Sequence, residues 1–192
     1  MTSEVPEGSQ QLVDLALQLG RAAYGDTPHD GMTPAQWAAL RYFSRANRFS
    51  RTVSAFARFH ATTRGTASQT IKSLVTRGLL QGTRSERDGR STRFDLTGES
   101  RRLLARDPLD RVLRAAGELP AESRSTTVLA LRQLLETLAR ERAEPLPGRC
   151  ALCGHLGTAK AGGWQCGLMQ EELAKEELRQ LCIRFSPAPG GG

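Results

Sequence analysis

Apolar residues recur at helical spacing from the start of the chain. Between Ser9 and Tyr24, Leu12, Leu15, Leu19 and Ala23 form one stripe, and Val13, Ala16 and Leu17 widen it enough to predict burial against more than one neighbour. The Gly, Pro and Asp content of residues 25–31 marks a turn. Thr33 before Pro34 is a helix start, and the helix it opens is expected to end near Phe43. From Thr52 to Arg77 the pattern predicts two helices, one with Val53, Phe56, Ala57 and Phe59 inward, the other with Ala67, Ile71, Leu74 and Val75 inward. Thr62-Thr63-Arg64-Gly65 is expected between them. After Gly78 the pattern becomes extended, and Asp88-Gly89 between two short stretches is a hairpin signal. Thr97 can then cap a helix reaching about Asp107, and further helices are expected over Leu109–Leu119 and Ser125–Arg142. The fold class predicted is mainly α, with one two-stranded hairpin.

Helix, tight turn and helix form the helix-turn-helix arrangement, whose second helix offers polar side chains to the major groove. Arg64, Thr66, Ser68, Gln69, Lys72 and Ser73 are the candidates on that face. Gln pairs in bidentate fashion with adenine, and Ser or Thr bonds base edges or phosphate. Arg84, Arg87, Arg90 and Arg93 crowd the hairpin, as a wing over a phosphate backbone requires.

Charge sharpens this picture. The net charge of +7 conceals a division: residues 1–40 carry five acids and one Arg, residues 41–114 carry 17 basic and six acidic side chains, and the remainder is balanced. A positive excess confined to the helix-turn-helix and hairpin, and almost entirely Arg, points to duplex DNA as partner rather than a membrane surface. A 39% apolar content is globular, no run is long enough for a membrane span, and no basic-then-apolar leader opens the chain. A cytoplasmic location is therefore expected. No Ser/His/Asp set, paired-carboxylate site or phosphate-cradling Gly loop is visible, so the chain is not expected to be an enzyme. The rival reading is an electron carrier or enzyme built on a metal cluster.

Residues 32–106, from MTPAQWAALRYF through SQTIKSLVTRGLL and RSERDGRSTRFDLTGESRRLL, resemble the winged helix-turn-helix core of MarR-type bacterial transcription regulators. Asp88-Gly89-Arg90, the following strand and Leu96-Thr97-x-x-Ser100 carry the likeness most specifically. The resemblance implies an obligate homodimer in which the first and last helices interlock and two wings flank a palindromic operator. It places Arg90 where the family has a DNA-contacting wing Arg, with Asp88 orienting it. It also implies that a small-molecule ligand between the dimer and DNA-binding regions is possible.

The chain continues where that family ends. All four cysteines lie in a final segment as Cys150-x2-Cys153-x12-Cys166-x15-Cys182. A segment this small has too little apolar surface to fold unaided, and a metal supplies the missing free energy. Zinc ribbons bring two Cys-x2-Cys knuckles, but here there is one, and the third and fourth cysteines flank a stretch, Gln170–Leu181, expected to be helical. Irregular four-Cys spacing favours an iron–sulfur cluster, with Zn2+ as the alternative and a metal-free thiol switch third. His155 completes Cys-x2-Cys-x-His and could replace one cysteine. His29 and His60 lack ligand-spaced neighbours and are taken as structural.

The expected organisation is a helical dimerisation region over 1–31 and 108–143, a winged helix-turn-helix domain over 32–107, a four-cysteine module over 144–186 and a disordered tail over 187–192. The expected function is a homodimeric regulator, acting as a repressor, whose operator affinity the cluster controls. Because the module follows the last dimer helix in sequence, its influence is expected to pass through that helix.

Overall fold

The computed structural model describes residues 5–24, 30–84, 92–141, 145–160 and 162–188. Helices α1 (Ser9–Tyr24), α2 (Pro34–Arg45), α3 (Val53–Phe59) and α4 (Arg64–Thr76) precede the antiparallel strands β1 (Leu80–Arg84) and β2 (Thr92–Leu96). Helices α5 (Gly98–Leu104), α6 (Leu109–Glu118) and α7 (Ala121–Glu141) follow. The mainly α class with a two-stranded wing agrees with the expectation from the sequence.

Local chemistry fixes these boundaries. Thr33 accepts from the Gln36 N–H while the Gln36 side chain accepts from the Thr33 N–H, closing a capping box ahead of Pro34. Thr52, Thr63 and Thr97 cap α3, α4 and α5 in the same way, each hydroxyl accepting from the N–H three residues on. Since Thr63 is the cap, Arg64 and Gly65 belong to the first turn of α4, and the connection expected at 62–65 lies earlier, at 60–63. Gly78, at φ +68°, ends the helix: its N–H reaches the Val75 carbonyl and that of Leu79 reaches Leu74, which swings the chain into β1.

One core joins these elements. Trp37, Leu40, Tyr42 and Phe43 of α2 pack with Phe56, Ala67, Ile71, Leu74, Leu79, Leu80 and Leu103. Behind it, Arg41 and Asp107 form a buried ion pair, with Nη2–Oδ1 at 2.6 Å and Nε–Oδ2 at 2.8 Å. Asp107 also accepts the Leu109 N–H at 2.8 Å, so the same carboxylate sets where α6 begins.

Helices α1, α6 and α7 differ in kind. Neither α6 nor α7 has a buried residue, and Leu12, Leu15, Leu17, Leu113, Val128, Leu129, Leu135 and Leu138 are exposed.

The C-terminal segment is built from short strands: β3 (Gly148–Arg149) pairs with β7 (Leu181–Cys182), and β4 (Leu156–Thr158), β5 (Trp164–Cys166) and β6 (Glu171–Leu173) make an antiparallel sheet. The helix expected over Gln170–Leu181 is absent. Its residues are good helix formers, but Glu171–Leu173 pair with β5, Gln170 turns at φ +56°, and only a 3-10 turn at Lys175–Arg179 remains. Pro187 and Ala188, expected in a disordered tail over 187–192, are instead held to the module. The Gly154 N–H bonds the Ser186 carbonyl, Cys153 bridges to Pro187, and the Ala188 N–H reaches Leu152, which ties the chain to the module through Ala188. Residues 189–192 lie outside the described residues.

Candidate nucleic-acid interface and cysteine centre

Helix α4 buries Ala67, Ile71 and Leu74 completely or nearly so, and this stripe decides what the opposite face presents. At 3.6 residues per turn Gln69 stands opposite the stripe, with Lys72 beside it and Arg64, Thr66 and Ser68 around the N-terminal half. All five are exposed. Ser73 is not free to read bases: it is half-buried and its hydroxyl accepts from Gln36 Nε2 at 2.8 Å, tying α4 to α2. The Thr66 hydroxyl lies 2.9 Å from that of Thr63, within the N-terminal cap.

On the wing, Arg84 is exposed at the end of β1. Arg93 of β2 is partly exposed and oriented by Asp95, at 3.1 Å from Nε to Oδ2. Arg87, Arg90 and Asp88 lie outside the described residues. The arrangement is a rigid polar helix beside a basic two-stranded edge, which fits a groove and its flanking phosphates.

The four cysteines, dispersed in sequence, line one small cavity. Phe49, Leu156, Leu168, Met169 and Leu173 supply its apolar wall, and His155 and Arg184 also border it. Cys150 and Cys182 are buried and meet because β3 and β7 pair; Cys153 and Cys166 enter from the knuckle after β3 and from β5. Gly148 permits this pairing, since a Cβ there would stand 2.5 Å from the Phe185 ring. The Cys150 thiol donates to Cys182, and the Arg184 N–H, Asn47 and Ser50 also favour its ionised form. Together they outweigh burial and draw the Cys182 thiol down to about 6. The same hydrogen bond, with burial, pushes the Cys150 thiol up. A thiolate is the ligating form, so the hydrogen bonds that favour ionised Cys182 also favour it as a donor. Among the described residues, no three His, Cys, Asp or Glu side chains converge as the donor set of a single ion.

Among the described residues, the module's contacts run to the helix-turn-helix domain. Ala46 bridges to Leu181, the Asn47 N–H reaches the Leu181 carbonyl at 2.8 Å, and the Ile183 N–H reaches Ser50 Oγ at 3.0 Å. Asn47 Nδ2 donates to Cys150 Sγ at 3.4 Å, and Arg48 pairs with Glu171 and Glu177. Ile183 belongs to the helix-turn-helix core, while Phe49 packs in the module's own core. Asn47, Arg48 and Ser50 were missed in the sequence. Ile183 and Phe185, apolar on either side of Arg184, were the available signal that this segment is buried.

Residues 30–91 match the model of the MarR family. No curated protein matches the chain. Among solved structures, a MarR family transcriptional regulator from Streptomyces coelicolor in complex with DNA is similar at a TM-score of 0.59 and 19% identity, covering 72% of this chain and 92% of that one. A MarR transcriptional regulator from Methanosarcina mazei gives 0.54 and 18%, and the S. aureus MepR–DNA complex 0.53 and 18%, each covering 70% of this chain and 99% of the other. These likenesses establish the fold, and they leave more than a quarter of this chain outside each of them.

Proposed function

We propose that this chain is a homodimeric, sequence-specific DNA-binding regulator of transcription whose operator affinity is set by an iron–sulfur cluster held by Cys150, Cys153, Cys166 and Cys182. The observation that carries DNA binding is the face of α4. Five exposed polar or basic side chains stand on a helix whose other side is locked into the core, next to the exposed Arg84 and the partly exposed Arg93. Two solved structures with this fold contain DNA, which supports the same docking. Gln69 and Lys72 would read base edges, and Arg84 and Arg93, with Arg87 and Arg90, would hold phosphates.

Dimerisation follows from α1, α6 and α7. Burying a leucine is worth about 1.5–3 kcal/mol, so a row of exposed leucines on three neighbouring helices stabilises whatever covers it. A second copy supplies that cover symmetrically, and it gives two α4 helices for two half-sites about one helical turn apart.

A cluster is favoured over zinc on the irregular spacing of the four cysteines, which lacks a second Cys-x2-Cys knuckle, and all four line one cavity with an apolar wall. When bound, a cluster supplies one-electron chemistry and sensitivity to oxygen and iron. The chain supplies the apolar wall that excludes water and the Asn47 amide directed at Cys150.

The test is metal, sulfide and absorption analysis of protein purified without oxygen, followed by selection from randomised duplexes. Charge-transfer absorption with iron and sulfide, and recovery of an inverted repeat, are expected. One zinc per chain in a colourless protein would overturn the cluster. Absence of any sequence preference would overturn the regulator.

A further inference from the structure

We infer that the cysteine module acts on the wing of its own chain, through residues 46–51. The inference rests on the reading that α4 and the wing bind DNA, and it goes further by assigning the route.

Residues 46–51 lie between two sets of partners. On one side are the module's contacts: Asn47 with Cys150 Sγ and with the Leu181 carbonyl, and Ser50 with the Ile183 N–H next to Cys182. On the other side is the wing. The Phe94 N–H of β2 donates to the Arg51 carbonyl at 2.8 Å, and Arg51 Nη1 meets Asp95 Oδ1 at 2.6 Å. Asp95 in turn orients Arg93, one of the wing cations. Within the segment, Arg51 Nε donates to the Ala46 carbonyl at 2.9 Å, and buried Tyr42 donates to the Ser50 carbonyl at 2.7 Å, so its two edges cannot move independently.

Asn47 is fully buried, its Oδ1 has no partner among the described residues, and its amide donates to the Cys150 sulfur. A buried, half-satisfied amide costs free energy unless its remaining bond is worth keeping, and that bond is to a thiol. A change in the position of Cys150 or Cys182 therefore alters hydrogen bonds at Asn47 and Ser50 first. The next groups to respond are Arg51, Phe94 and Asp95. At the module's start the Pro145 carbonyl also accepts from Arg58 of α3, a further contact to the helix-turn-helix domain. Asn47 and Ser50 are thus positioning residues: they touch no DNA but hold the base of the wing in register with the cysteine centre.

Amide hydrogen exchange on the full chain tests this, with duplex affinity and metal content measured on the same samples. In Cys182→Ala, peptides over 46–51 and 92–96 are expected to exchange about tenfold faster than in the parent, with those of α7 unchanged. Duplex affinity is expected to fall about tenfold, with a shallower salt slope as wing phosphate contacts are lost. Asn47→Ala keeps all four cysteines, and at the metal content measured on the same sample it should still speed exchange over 92–96. Ser50→Ala gives the same readout if Asn47→Ala does not fold. Faster exchange in α7 with 92–96 unchanged, or no change in either, overturns the inference. A parent that binds no DNA would overturn the proposed function instead, while the exchange pattern would still decide the route.

Discussion

Removing Asp107 should be among the most damaging single changes to the fold. Arg41 places Nε 3.1 and 2.8 Å from the two carboxylate oxygens and Nη2 2.6 Å from one of them, and both side chains are only 8% exposed. Asp107→Ala leaves that guanidinium buried without its carboxylate, a loss of about 3–5 kcal/mol. It also removes the acceptor for the Leu109 N–H at the start of α6, worth about 1 kcal/mol more. For a chain of this size the thermal midpoint shifts by about 2–4 °C per kcal/mol, so a drop of roughly 8–24 °C is expected. Replacing both partners, as Arg41→Met with Asp107→Leu, removes the charge together with its partner and should recover most of the loss. Denaturant unfolding of the parent, both single variants and the double variant closes the cycle. Single losses under about 1 kcal/mol, or a double variant that merely adds the two, would refute the reasoning.

Gln69→Ala should relax sequence preference at one or two positions of a selected duplex. Lys72→Ala should weaken all sequences alike if it meets phosphate, and the comparison is read from binding to a panel of single-base variants. Gly148→Ala forces a methyl to within 2.5 Å of the Phe185 ring. It should cost about 1–3 kcal/mol and lower metal content per chain, because β3 and β7 bring Cys150 and Cys182 together. His60 is packed among Tyr42, Phe56 and Phe59 with Nε2 buried and unpartnered, and burial holds its imidazole below the usual 6.5. The unfolded chain then binds the extra proton, so this stability is complete above about pH 6.5 and is lost as pH falls through the lower folded value. Melting should be less sensitive to acid in His60→Phe than in the parent.

The helix-turn-helix was legible because apolar periodicity and threonine caps agree along the same stretch. Thr33 and Thr97 open the helices read from them, whereas Thr63, read as part of the connection, is the cap of α4. The outward face of α4 was legible apart from Ser73, whose partner Gln36 lies on another helix and leaves no local trace. The cysteine segment was legible in chemistry but not in shape. Glu, Leu, Lys and Ala between Gln170 and Leu181 favour a helix locally, and pairing with β5 overrides them. Its docking on residues 46–50 could not be read at all, because the Ile183 to Ser50 bond joins positions far apart in sequence with ordinary side chains at both ends.

The most direct test of the central claim is operator affinity for three forms of the same preparation: protein with its cluster reduced, with it oxidised, and with iron removed by chelation. Control of DNA binding by the cysteine centre predicts that at least one form differs from the others by about tenfold or more, a coupling of about 1.4 kcal/mol. Equal affinity in all three would contradict it and leave the four cysteines with a purely structural task.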